Sequence, residues 1–166
     1  MFAKSSLCDS PPKSESSMAN RLVVKTLHRD DVVIDRSTGL MWQQSASSQP
    51  MLYRLAMDWI KSLNKHGFAG FNDWQLPTLE EALTLVKQFP NSQGLYIDPI
   101  FNSRQRLWMW TSERGDADSV WYVNFNYGYS QLNRIKSSHN YVRAVRHAHK
   151  AAIIPAGHSH HAATHA

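Results

Sequence analysis

The segment MLYRLAMDWIKSLNKHG sets Leu52, Leu55, Ala56, Trp59, Ile60 and Leu63 at the spacing of one helical face, with Gly67 placed to end the helix. β-Branched runs precede it and aromatic runs follow a second helical segment, and this order decides the fold class. A parallel nucleotide-binding sheet needs strands and helices in alternation. Strands, then two helices, then several strands predict an α+β domain with antiparallel pairing.

The opening runs, RLVVKTL and DVVIDRSTGLMWQQ, lie around a polar turn at His28 to Asp31 and predict a small antiparallel pairing. Asp35 to Gly39 reads as a tight turn with positive φ at Gly39. In FNDWQLPTLEEAL each part has a backbone task. Pro77 biases Leu76 to an extended conformation, Thr78 caps the next helix, and Glu81 three residues on completes a capping box. That helix is expected to run from Leu79 to Phe89, before Pro90. After a loop through Asn91 to Arg106 come RLWMWTSE, SVWYVNFNYG and NYVRAVR, divided by polar turns at Arg114 to Asp118 and Ser137 to Asn140. In the middle run, Trp121, Val123, Phe125 and Tyr127 share one face, and Tyr122, Asn124 and Asn126 the other. The first face is expected in the core and the second open to solvent or a ligand.

A chain of 166 residues, 42% hydrophobic and 11% aromatic, suffices for one core. Residues 1–20, rich in Ser, Pro and Lys, are expected to be a disordered segment, 21–147 the folded domain, and 148–166 a flexible His-rich tail. The only cysteine, Cys8, allows no internal disulfide or thiol pair, and no run is apolar enough for a membrane helix or secretory leader. As written, the chain is expected to be cytoplasmic and not inserted in a membrane, with surface or secreted placement requiring another export route.

The formal net charge of +5 is unevenly spread. From Arg21 to Ile100 eight basic residues meet eight acidic ones, whereas from Phe101 to Lys150 eight basic residues meet only Glu113, Asp116 and Asp118. Such an excess points to an acidic partner.

Catalytic chemistry finds little support. His28, His66 and His139 fall in predicted turns or helix ends, and Glu80 with Glu81 reads as a solvated first turn. No catalytic residue, resident metal site or cofactor is expected. Glu113, Asp116 and Asp118 match no calcium-loop spacing, and the tail histidines lack a carboxylate or thiol partner. Arg114-Gly115-Asp116 spells an integrin-type tripeptide too short to argue adhesion.

The constellation suited to binding is the basic, aromatic final third: Arg104, Arg106, Trp110, Arg114, Tyr122, Asn124, Asn126, Tyr127, Tyr129, Arg134 and Lys136. Arginine forks pair with sulfate, phosphate or carboxylate, and aromatic faces stack on sugars or bases.

Taken in order, TGLMWQ, the helix bearing Trp59, DWQLPT, WTSE, VWYVNF with its following Gly128, and VRAVR resemble the Lcl C-terminal domain family, named for a Legionella collagen-like adhesin. The resemblance covers Asp31 to Arg146. It implies a C-type-lectin-like fold, akin to formylglycine-generating enzymes and to the variable proteins of diversity-generating retroelements: two helices flanking a twisted, mostly antiparallel sheet with its terminal strands close together. It makes Trp42, Trp74, Leu76, Pro77, Trp121, Val142, Arg143 and Arg146 pattern positions with mainly structural roles, beside Trp59, Thr78 and Glu81. Formylglycine-generating activity is implied to need cysteines that the folded region lacks.

The expectation is therefore a non-catalytic recognition module for an anionic glycan, another polyanion or a protein, through a basic aromatic surface in residues 101–140. Nucleic acid stays among the polyanions considered. A homo-oligomer such as a trimer is implied by the family. The alternatives are a retroelement variable protein, suggested by the Asn-, Tyr- and Ser-rich stretch NFNYGYSQLNRIKSSHNY, and an enzyme-accessory domain.

Overall fold

The computed structural model describes residues 21–101 and 108–148. The expectations for residues 1–20, for the tail beyond Ala148 with its histidines, and for Arg104 and Arg106 fall outside the described residues.

Three strands form first: β1 (Leu22–Leu27), β2 (Asp30–Asp35) and β3 (Leu40–Gln43). His28 and Arg29, at φ 49° and 75°, form the two-residue turn between β1 and β2. Positive φ at both positions matches the right-handed twist of the strands. Gly39 takes φ 70° as expected, and its N–H bonds Asp35 O at 2.9 Å. Asp35, at the end of β2, is fully buried and held by a two-pronged Arg21 fork at 3.0 and 2.6 Å and by the Ser37 amide and hydroxyl.

Helix α1 (Tyr53–His66) ends at Gly67, which adopts the left-handed conformation at φ 68°. Its buried stripe is Tyr53, Ala56 and Ile60, with Trp59 and Leu63 packed partly against the core. Leu55 is exposed, contrary to expectation. It stands about 100° round the helix from Ala56, on the side away from Tyr53. A 3₁₀ turn, Phe68–Gly70, follows.

Trp74 seals the core beneath this corner. Asn64 in α1 clasps its backbone at 2.8 Å through both amide atoms, and the indole N–H donates to Phe68 O at 2.9 Å. The capping box forms as predicted, with Thr78 Oγ1 accepting from Glu81 N at 3.1 Å and Glu81 Oε2 accepting from Thr78 N at 2.9 Å. Helix α2 spans only Leu79–Leu83, however, short of Phe89. The Thr84 hydroxyl donates to Glu81 O at 2.6 Å, Leu85 and Val86 bond carbonyls three residues back, and Lys87 N pairs with Tyr96 O. Those three-residue bonds tighten the last turn and release the chain.

Strands β4 (Trp108–Arg114), β5 (Ser119–Asn124) and β6 (Tyr129–Arg134) form a second antiparallel sheet, in that order. Strand β6, YSQLNR, lies outside the three strand runs that the sequence pattern predicts for this region. The last strand, β7 (Val145–His147), pairs with β3 and completes a first sheet ordered β1-β2-β3-β7. The run from Asn140 to Val145 stitches the two sheets together. Tyr141 N and O bond Trp108 and Trp110 of β4 at 2.7 and 3.0 Å, Val142 and Ala144 accept from Ser47 and Gln43, and Val145 pairs with Gln75. The domain is α+β, with two helices and two antiparallel sheets.

Two apolar clusters hold this frame. One joins α1, Trp74, Leu76, Trp110, Val120, Tyr122, Val142 and Ala144. The other joins Trp42, Leu85, Ile97, Phe101, Met109, Val123, Phe125 and Val145. Strand β5 contributes to both, so the alternation read from its sequence needs correction: Val123 and Phe125 enter one cluster, and Tyr122 enters the other. The face expected to be open is largely core.

Candidate ligand-binding surface

The register of the second sheet separates the expected site residues into two groups. Arg114, Ser119 and Arg134 mark one end, where Ser119 pairs with Arg134 and Arg114 with Val120. Trp108, Asn124 and Tyr129 mark the other, paired across the three strands. Five residue steps of roughly 3.4 Å put about 17 Å between the ends. A single basic aromatic surface is therefore not formed by the described residues.

The charged end is balanced. Arg114, Arg134 and Lys136 are exposed there beside Glu113, Asp116 and Asp118, all exposed as well. Lys136 Nζ lies 3.5 Å from Asp118, and Arg114 donates to Ala117 O at 3.1 Å. The Asp118 amide, donating at 2.8 Å, is first among the groups that hold the Asp116 carboxyl below the usual carboxylate range. Among the described residues, three cations against three anions leave no basic field at this end.

Two further contributors to the sequence excess are interior. Arg143 and Arg146 are buried, in keeping with the structural roles expected for them. Arg146 is forked by Asp73 at 2.7 and 3.2 Å and lies 3.7 Å over the Phe71 ring. Arg143 donates through Nη1 to the carbonyls of Gln43 and Gln44 and sits over Phe101, while Nε and Nη2 have no hydrogen-bond partner among the described residues. Burial pushes its pKa down to about 9.

Trp110 is also removed from the surface. It is fully buried, edge-on to Tyr53 at 5.5 Å, and its indole N–H donates to Met51 O at 2.8 Å. Tyr122 is buried beside it, with its hydroxyl donating to Gln131 Oε1 at 3.2 Å. Desolvation, and then the neighbouring Tyr129, raise the Tyr122 pKa, so the phenol stays protonated at neutral pH.

What remains outward is aromatic. Trp108 and Tyr129 are each 40% exposed and Tyr127 is 69% exposed. The two tyrosine rings stack nearly parallel, 6.0 Å apart at 8°. Between Trp108 and Tyr129 lies Asn124, only 3% exposed, which shapes the turn: its side-chain oxygen accepts from the Asn126 backbone N–H at 3.0 Å, and its carbonyl from Gly128 N at 2.8 Å. Gly128 has φ 73°, and a Cβ there would lie 2.9 Å from the Tyr96 ring. Glycine is thus required on both counts, and the turn is pinned behind the exposed rings. Asn124 acts as a positioning residue, while Asn126, Tyr127 and Tyr129 are accessible, Tyr127 in spite of the alternation that put it on the core face. Trp108 was absent from the expected set.

The fold and surface define an α+β domain whose interior arginines and tryptophans serve packing and whose outward chemistry gathers at one sheet end. Residues 31–146 match the Lcl C-terminal domain, and the chain belongs to that family. No curated protein matches the chain. No helix among the described residues is long and apolar enough to cross a membrane.

Proposed function

We propose that this domain is a non-catalytic recognition module of C-type-lectin-like fold, which binds a glycan or protein ligand through the aromatic end of its second sheet. The observation that carries this reading is the row Trp108, Asn124, Tyr129, with Tyr127 stacked alongside on a turn that glycine and asparagine hold fixed. Exposed aromatic rings on a preorganised strand end supply contact area at little entropic cost. Membership of a family bearing an adhesin's name is consistent with this role.

The test is a binding screen of the purified full chain against immobilised glycans and extracellular-matrix proteins. Ligands found in it are then measured with Trp108→Ala and Tyr129→Ala, and separately with Arg134→Ala plus Lys136→Ala. The aromatic variants should lose binding and the charge variant keep it. Binding lost only in the charge variant would refute the assignment of the surface.

A further inference from the structure

The two sheets have four outer edges, and the described residues treat them differently. Strand β7 is met by Gln75, which exchanges both backbone bonds with Val145 at 2.9 and 3.0 Å. Along β4, Trp108 O, Trp110 N and Ser112 N are bonded by Tyr141 and Pro77. Strand β1 carries the exposed Lys25 near its middle, a charge that discourages pairing with another chain. Strand β6 has none of these devices. From Tyr129 to Asn133 no backbone group bonds anything but β5 among the described residues, the register with β5 runs without a bulge, and the stretch holds neither charge nor proline. Independently of the recognition reading, we infer that β6 pairs antiparallel with β6 of a second copy of this chain, making a two-fold dimer centred on Leu132.

The side chains of β6 select a second copy as the partner. A two-fold axis normal to the sheet returns each side of the sheet to itself, so facing residues must lie on the same side. Centred on Leu132, that residue faces its own copy, Gln131 faces Asn133, Ser130 faces Arg134 and Tyr129 faces Ile135. Every pair is matched in kind. Leu132, 43% exposed in the single chain, is covered. Gln131 Oε1 is taken by the Tyr122 hydroxyl and Asn133 Nδ2 by Asn140, which leaves the Gln131 amide N–H groups to donate and the Asn133 side-chain oxygen to accept. The Arg134 guanidinium meets a hydroxyl, and the two copies of Arg134 stand four residue steps, about 14 Å, apart, beyond strong repulsion at physiological salt.

The neighbouring registers lose this match. A centre at Gln131 sets Leu132 against Ser130 and Tyr129 against Asn133, and a centre at Asn133 sets Leu132 against Arg134. Pairing β6 with β6 also uses up the open edge of both copies, so assembly stops at two, in contrast to the trimer that the family resemblance implies. A ladder of this length buries less than a standard interface, so the association is weak and depends on concentration.

Sedimentation velocity of the full chain tests the inference. The protein should be monomeric near about 2 μM and largely dimeric near about 200 μM, the range expected of an interface below standard size. Leu132→Lys sets like charges opposite one another at the two-fold and should raise the dimer dissociation constant at least about tenfold. The lysine stem still covers Gly115, against which Leu132 lies, and circular dichroism checks that the fold is kept. A second reading fixes the register and does not depend on that variant. In a Cys8→Ser background, Leu132→Cys should form an intermolecular disulfide under oxidising conditions, because its Cα faces its own copy within bridging distance. Val24→Cys on β1, at 38% nearly as exposed, should not. A monomer at every concentration overturns the inference. So does a trimer, a dimer that a folded Leu132→Lys leaves intact, or cross-linking at Val24 in preference to Leu132.

Discussion

Arg146 and Asp73 meet through two parallel contacts of 2.7 and 3.2 Å, and the two partners differ sharply in exposure: the arginine side chain is 1% accessible and the aspartate 40%. Removing the aspartate strands a guanidinium in the interior; removing the arginine leaves a carboxylate that water can reach. The costs should therefore be unequal. Asp73→Ala is expected to destabilise by about 2–4 kcal/mol, and Arg146→Met by about half as much, in urea unfolding. Equal losses would mean that the pair is not buried in the way described.

Arg143 presents the opposite situation. Its guanidinium is as deeply buried as that of Arg146, yet its neighbours are carbonyls and the Phe101 ring, and burial alone depresses its pKa. An interior cation with no anion beside it among the described residues is costly, so an apolar replacement of similar length relieves that cost while giving up two hydrogen bonds to carbonyls. Arg143→Met should change stability by no more than about 1 kcal/mol, whereas Arg143→Ala, which opens a cavity, should cost about 3 kcal/mol. Parallel urea curves for the two variants would decide it. A methionine variant as damaged as the alanine one would show that the charge itself is required.

Asp35 sets an acid limit on the fold. Burial pushes its carboxyl upward, but the Arg21 fork and the two Ser37 donors outweigh this and lower its pKa from 3.8 to about 2. The unfolded chain therefore binds the proton more readily than the folded one. The contribution, about 2 kcal/mol, is complete above the unfolded value and is lost as pH falls through the folded one, between about pH 4 and pH 2. Unfolding free energies measured across that window should fall less steeply in Asp35→Asn than in the parent, although the variant is less stable at neutral pH. An unchanged slope would remove Asp35 as the source.

Local signals carried much of the frame. Gly67, the Thr78 and Glu81 capping box and the turn at Gly39 act within a few residues of themselves, so their sequence spacing determines their geometry. Strand β6 was illegible because an edge strand reading Tyr, Ser, Gln, Leu, Asn, Arg buries neither face well and has no alternation to detect. The β5 faces were misread because alternation assumes one wet side, whereas two clusters cover this strand from opposite directions. Counting charge misled for a related reason. Arg143 and Arg146 count as cations in a sequence but lie in the interior, and Asp73, more than seventy residues from Arg146, supplies the pairing. The stacked Tyr127 and Tyr129 were within reach of sequence reasoning, since a short Asn- and Gly-bearing turn places them at a strand end.

Two tryptophans separated by one residue in β4 offer the sharpest contrast between packing and recognition. Trp110 is fully buried, meets Tyr53 edge-on and hydrogen-bonds Met51 O, whereas Trp108 is 40% exposed at the sheet end. Trp110→Ala is expected to destabilise by about 3–5 kcal/mol, since it opens a large cavity and orphans a carbonyl. Trp108→Ala should cost about 1 kcal/mol, because much of the ring is already in water. Urea midpoints, with near-ultraviolet circular dichroism to confirm native packing, distinguish the two. If both substitutions proved equally destructive, Trp108 would belong to the core, and the aromatic end of the sheet would lose its claim as a binding surface.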